Sequence, residues 1–236
     1  AILVTWMCFV TNVCAHRGAS LTFKENTLEA FTHAVAIGSD WVEFDVWLAS
    51  DGNVVVHHDE TIGQDRYIQE LTVQELPSHI PLLRNAINAC AGAHMNIELK
   101  VSEFTLTQKL VDSVLDVIEG SNLNQQFLLS SFSRDVLEYA RATSPTAQLG
   151  FLTIGDFKER KDFLQGLKLS GFQSVHPHHL AVDEDFVVAS HEYGLEVNVW
   201  TVNDEDRMEE LIGFGVDGII TDVPDVALEV VKGRDR

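Results

Sequence analysis

Trp41-Val42-Glu43-Phe44-Asp45-Val46 is the stretch that decides how this chain folds. Side chains alternate faces along an extended strand, so Val42, Phe44 and Val46 share one face while Glu43 and Asp45 share the other. Asn96-Ile97-Glu98-Leu99-Lys100 repeats the arrangement, with Ile97 and Leu99 opposite Asn96, Glu98 and Lys100. A strand of a parallel barrel is covered on both sides and is expected to be nearly all apolar. With the apolar faces against outer helices, Glu43, Asp45, Glu98 and Lys100 point into a barrel, toward the C-terminal mouth where such barrels place their chemistry.

Further β-rich runs lie outward from these two: Asn12–His16, Gln126–Phe132, Ala147–Thr153, Ser174–His178, Glu196–Val202 and Asp217–Asp222, with strands also over Trp41–Ala49 and His94–Lys100. Helical stripes separate them. Leu28, Phe31 and Val35 form one, Leu106, Leu110, Val114 and Val117 a second, and Met208, Leu211 and Ile212 a third. Asn203 is the expected N-cap of that late helix, with Asp206 in its first turn, and Gly194 and Gly215 are helix stops. Eight strand–helix units within 236 residues give a (β/α)8 barrel, with a doubly wound open sheet as the alternative. Asp51-Gly52 before Val54-Val55-Val56 signals a hairpin that folds the second strand back near the mouth. Residues 1–236 are expected to form one domain, with about 51–80 as a short inserted hairpin and loop segment.

Composition narrows the function. Sixteen Lys and Arg against 36 Asp and Glu give a formal net charge of −20, a field that repels nucleic acid and anionic membranes. An anionic substrate therefore needs local cations or a metal. Three cysteines give neither a disulfide framework nor a zinc spacing, and a reducing compartment, the cytoplasm, is the simple expectation. No run reaches the roughly 18 apolar residues that cross a bilayer. The apolar stretch Ile2–Val10 lacks a basic flank and is expected to pack on the barrel floor. Oligomeric state is left open by the sequence.

Three inward carboxylates, Glu43, Asp45 and Glu98, are costly together unless a cation neutralises them. Oxygen-only ligands suit Mg²⁺ or Ca²⁺, and the alternative is a structural ion-pair cluster with Lys100 and Arg17. His16-Arg17-Gly18 closes the first strand with an acid–base candidate, a phosphate fork and a close turn. His58 shares a face with Val54 and Val56 while His57 takes the other. His176, His178 and His179 together invite a zinc site, but no further ligand type is spaced to support one, and His176 is expected at the surface or lining the mouth. Asn198 and Trp200 share a face, as a ligand wall or as core, and Asp222 could cap or ligate at the mouth.

In order along the chain, several motifs resemble the glycerophosphodiester phosphodiesterase family. They are Ala15-His16-Arg17-Gly18, Glu25-Asn26-Thr27-Leu28-Glu29-Ala30-Phe31, Val42-Glu43-Phe44-Asp45-Val46, Asp51-Gly52, His58-Asp59, Ile97-Glu98-Leu99-Lys100, Ser131-Phe132, Trp200-Thr201-Val202-Asn203 and Asp217-Gly218-Ile219-Ile220-Thr221-Asp222. The resemblance implies a phosphodiesterase-type barrel with a small insertion after the second strand. It implies hydrolysis of glycerophosphodiesters to sn-glycerol 3-phosphate and an alcohol, with His16 and His58 as the acid–base pair. Glu43, Asp45 and Glu98 match the ligands of one Mg²⁺ or Ca²⁺. Arg17 and Lys100 match the phosphate-side residues, and Trp200 is taken as a substrate contact. The insertion between Thr61 and Ile80 is shorter than the family's usual one, Lys24 replaces the usual proline, and a more open mouth is expected. Related alternatives are a lysophospholipase D or sphingomyelinase D, which would want an apolar loop at the mouth that the sequence does not make obvious. A phosphatidylinositol-specific phospholipase C-like lyase and a barrel that binds a phosphodiester without turnover complete the set.

Overall fold

The computed structural model describes residues 10–103, 105–121, 126–155 and 159–234. Residues 1–9, which include eight of the nine residues of Ile2–Val10 and with them Cys8, lie outside these, so the packing of that stretch on the floor does too. Eight strands run parallel: β1 (Asn12–Ala15), β2 (Trp41–Leu48), β6 (His94–Leu99), β7 (Phe127–Ser131), β8 (Gln148–Thr153), β9 (Ser174–Pro177), β10 (Glu196–Val199) and β11 (Gly218–Thr221). Each expected run is present, trimmed by a few residues at its ends. β1 pairs with β11 on one side and with β2 on the other, Cys14 standing opposite Trp41, so the sheet closes into a barrel.

Helices return the chain between staves: α1 (Leu28–Ala36), α2 (Leu83–Ala89), α3 (Thr107–Gly120), α4 (Arg134–Thr143), α5 (Arg160–Leu169), α6 (Glu184–Glu192), α7 (Glu205–Phe214) and α8 (Pro224–Arg234). Their inner faces meet the outward strand residues. Val13, Val42, Phe44, Ile97, Leu149, Val175, Val197 and Ile219 belong to one buried cluster with Phe31, Leu110, Val136, Phe186 and Leu211. Burying this face removes apolar surface from water and is the main stabilising term. Among the described residues, no helix is long and apolar enough to cross a membrane.

Two helix expectations shift. The buried stripe of α1 is Ala30, Phe31 and Ala34, and Leu28 is exposed in the first turn, because small alanines let the helix approach the sheet closely. The N-cap of α7 is Asp204, whose carboxylate accepts from the Arg207 amide, one residue after the expected Asn203. Gly215 ends α7 in a left-handed turn, as expected.

The Asp51-Gly52 hairpin forms: β3 (Val54–Val56) pairs antiparallel with β2, Val46 opposite Val56. A second small hairpin, β4 (Thr61–Ile62) with β5 (Arg66–Tyr67), follows. Trp47, Val55, Ile68, Leu71 and Leu76 bury one another in a satellite core beneath this insertion. That core fixes the insertion at the mouth and orients the segment carrying His58.

Candidate active site at the barrel mouth

β1 leads into His16, Arg17 and Gly18, and both Arg17 (φ +54°) and Gly18 (φ +82°) are left-handed. A side chain on Gly18 would stand 2.7 Å from the Ala30 backbone, so only glycine lets this turn close on α1. The turn aims the Arg17 amide at Glu43, donating to Oε2 at 2.9 Å.

The parallel register sets Asp45 opposite Glu98 and Glu43 opposite Asn96. Glu43, Asp45 and Glu98 are buried, and each brings one carboxylate oxygen within 4.8 Å of the other two. Two cations thread between them. Arg17 Nε lies 3.3 Å from Asp45, and Lys100 Nζ lies 3.2 Å from Asp45 and 2.8 Å from Glu98. Asn26, also left-handed, donates from Nδ2 to Asp45 at 2.8 Å.

Glu43 is treated differently. Among the described residues neither Arg17 nor Lys100 forms a side-chain ion pair with it, and its Oε1 has no hydrogen-bond partner. Burial, reinforced by the charges of Asp45 and Glu98, pushes its carboxyl well above the usual range. Burial and Asp45 also raise Glu98, to about 7. Asp45 moves the other way: burial opposes its charge, but Lys100 and Arg17 hold it below its ordinary value. The ion-pair alternative thus accounts for Asp45 and Glu98 but leaves Glu43 unexplained. A hard divalent ion would satisfy the unpartnered oxygen and offset the mutual repulsion, so these residues fit such an ion.

Two imidazoles flank the cluster. His16 Nδ1 donates to Asp222 at 2.6 Å, leaving Nε2 facing Glu43 at 4.0 Å. Burial works against the Asp222 charge, but hydrogen bonds from His16, Asn203 and Ser20 hold its carboxyl at about 2. His58 Nδ1 donates to Asp59 at 2.8 Å, and the Trp47 indole donates to the His58 carbonyl. His16, Arg17, Glu43, His58, Glu98 and Lys100 line one cavity of about 170 Å³, with Phe132, Leu152 and Trp200 on its wall. Asp45, 1% exposed, joins through its ion pairs. Trp200 is fixed by its indole donating to the His176 carbonyl at 2.7 Å and by edge-on contact with Phe132.

Some readings need correction. His176 is neither at the surface nor at the mouth; it is buried inside the barrel, hydrogen-bonded to Ser174 and Asn198, and desolvation lowers its pKa to about 3. It borders a cavity of about 240 Å³ among residues at the starts of the strands, the end of the barrel opposite the mouth, where Glu196 is the one acidic side chain among the described residues. Asp222 orients His16 rather than joining the acidic cluster, and Asn203 secures Asp222, donating from Nδ2 at 2.6 Å. Exposed apolar residues do occupy mouth loops: Leu21, Leu106, Ile154 and Leu180.

A closed parallel barrel whose mouth sets imidazoles and cations around an anion-sized cavity defines a barrel phosphodiesterase. Comparison with known proteins gives the particular kind. Residues 16–226 match the pattern of the glycerophosphoryl diester phosphodiesterase family. A glycerophosphodiester phosphodiesterase from Bacillus altitudinis is 30% identical over 94% of this chain and 98% of its own length. Another from Caldanaerobacter subterraneus is 29% identical over 94% and 98%. The structure of an Oleispira antarctica phosphodiesterase in complex with the product sn-glycerol-3-phosphate superposes with a TM-score of 0.88. It is 27% identical, covering 95% of this chain and 98% of that one. The chain belongs to the glycerophosphoryl diester phosphodiesterase family.

Proposed function

We propose that the protein hydrolyses glycerophosphodiesters to sn-glycerol 3-phosphate and an alcohol, with His16 and His58 as its acid–base pair. The observation that carries this reading is the buried carboxylate cluster, with an unpartnered Glu43 oxygen, in one cavity with two imidazoles that each have a carboxylate behind them. The product bound to the Oleispira relative supports the choice of substrate.

Arg17 and Lys100 hold the phosphate oxygens and oppose, locally, the global charge of −20. Trp200 and Phe132 provide an apolar wall for the glycerol carbons. Glu43, Asp45 and Glu98 would hold one Mg²⁺ or Ca²⁺, which when bound supplies Lewis-acid relief of the phosphate's charge. With each Nδ1 donating to its own carboxylate, each Nε2 is free to carry a proton. One imidazole takes the proton of the attacking hydroxyl as its oxygen bonds to phosphorus. The other protonates the alcohol oxygen as its bond to phosphorus breaks. One barrel unit carries the whole reaction, and the free thiols of Cys14 and Cys90 support a reducing compartment such as the cytoplasm.

The test is release of glycerol 3-phosphate from glycerophosphocholine by wild type, His16→Ala and His58→Ala, with EDTA and with restored Mg²⁺ or Ca²⁺. Each alanine variant should lose about 10²- to 10⁴-fold in kcat. Full activity in either variant removes that histidine from the mechanism. Calorimetric titration of the EDTA-treated protein checks metal binding apart from turnover, and undiminished activity in EDTA rejects the ion. Release of a cyclic phosphate would identify the substrate's own hydroxyl as nucleophile; undiminished turnover of a diester that lacks the glycerol 2-hydroxyl would identify water.

The exposed Leu21, Leu106, Ile154 and Leu180 around the mouth favour a second reading, in which the glycerol carries an acyl chain. Turnover of lysophosphatidylcholine faster than glycerophosphocholine would select it.

A further inference from the structure

Below the acidic cluster the barrel is not filled in the usual way. The interior of such a barrel is normally packed with layers of branched apolar side chains. Here its middle carries Asn96, Ser130, His176 and Asn198. A side chain on Gly150 would meet His176 Nε2, and one on Gly218 would meet Asn198 Oδ1, so the two glycines make room for polar groups. The floor cavity of about 240 Å³ and the catalytic cavity of about 170 Å³ share Asn96 and Ile220, so one begins where the other ends.

Polar atoms at this junction lack partners. Asn96, Ser130 and His176 are almost completely buried, and among the described residues nothing bonds to Asn96 Oδ1, Ser130 Oγ or His176 Nδ1. A buried polar group left unpaired is destabilising, and native proteins keep few of them. Asn198 Nδ2 donates to His176 Nε2 at 3.2 Å, so the proton of the neutral ring sits on Nδ1. The missing partner therefore donates to Asn96 and accepts from His176. It is also uncharged, because no Lys or Arg among the described residues lines the floor cavity and Glu196 is its one acid. Water has this chemistry, and the volume is sufficient for several molecules.

We infer that the two cavities form one hydrated shaft through the barrel, a second solvent entrance that reaches the acidic cluster from the floor. Asn96 stands opposite Glu43 in the parallel register, so the shaft ends beside the carboxylate whose Oε1 is unpartnered. A diester held by Arg17 and Lys100, the arrangement that rests on the function proposed above, covers the cluster from the mouth. Water and protons then still exchange with the cluster from below.

The experiment follows magnetisation transfer from water to the Asn96 side-chain amide and the His176 ring N–H by NMR, with and without saturating sn-glycerol 3-phosphate. Transfer to both groups is expected, and about half or more of it should persist with the mouth filled. Leu128 lines the floor cavity and not the catalytic one. Leu128→Phe should cut transfer to His176 about twofold or more in the free protein, and transfer to Asn96 equally once glycerol 3-phosphate is bound. Gln148→Trp, at the exposed rim, gives the same test if that variant does not fold. Wild-type transfer to Asn96 that vanishes when glycerol 3-phosphate binds overturns the second entrance. No transfer to either group in the free protein, or unchanged transfer in the plugged variant, overturns the shaft. The hydrolase reading fails separately, if wild type neither binds glycerol 3-phosphate nor turns over glycerophosphocholine, and transfer to His176 in the free protein then still tests the shaft.

Discussion

Phe44 and Asp45 are neighbours on β2, and both are almost completely buried, at 0% and 1% exposure. Phe44 enters the layer between sheet and helices, where it packs on Phe31 at 5.2 Å between ring centres. Asp45 enters the barrel, where it meets Arg17, Lys100 and Asn26. The outer face of the strands is a continuous apolar core; the inner face at the mouth is a charge cluster. Burial on the outer face stabilises, because each side chain leaves water for apolar neighbours. Burial on the inner face opposes folding, because each carboxylate surrenders hydration that its partners only partly replace. One strand thus serves stability on one side and chemistry on the other.

Substitutions on the two faces should separate these roles. The largest stability change is expected for Phe44→Ala, a loss of about 3–5 kcal/mol in urea unfolding, from lost burial and the cavity left behind. A loss below about 1 kcal/mol would mean that the outer layer is not the main core. Glu43→Gln, one position away, should leave stability equal or raised. Turnover should fall on the order of a hundredfold, because a group aimed at the charged centre is removed. A Glu43→Gln protein that unfolds as readily as Phe44→Ala would erase the contrast.

A pH series sharpens the comparison. Glu98 binds its proton at about 7 in the folded chain, through burial and Asp45, against an ordinary carboxyl value of 4.5. The folded state then holds more protons than the unfolded state between those values. In EDTA, stability should therefore be greatest near pH 4.5 from this group and decline as pH rises toward about 7. Glu98→Gln should lessen that decline, with Glu43, raised by burial, supplying what remains, whereas Phe44→Ala should lower the whole curve without changing its slope. The smallest effect is expected for Asn203→Ala, which leaves Asp222 less firmly placed. Turnover should drop a few-fold, and stability by about 1 kcal/mol, the usual worth of one hydrogen bond.

Both faces of β2 and β6 were legible in the sequence, because strand alternation is local and five consecutive residues suffice to display it. So were the eight staves and the Asp51-Gly52 hairpin. Local pattern failed where contacts depend on closure or on neighbouring elements. Asp222 reaches His16 across 206 positions, a contact that exists only because β11 pairs with β1. Asn203 has the composition of a cap, yet Asp204 takes that role and Asn203 secures Asp222 instead. His176 belongs to the inner face of β9, where Gly150 leaves the space its ring fills; a side chain there would meet its Nε2 at 2.4 Å. The exposed apolar residues of the mouth are single positions in separate loops, and no one segment displays them together.

The bond between His16 and Asp222 also sets an order of events during synthesis. At typical elongation rates of roughly 5–20 residues per second, the 206 positions between them take about 10–40 s to translate. Throughout that interval β1 carries an unpaired edge awaiting β11, and His16 lacks the carboxylate that orients it. A ribosome-bound nascent chain should therefore stay catalytically silent while its other staves assemble, and its open seam is the natural contact for a chaperone or for a second unfinished chain.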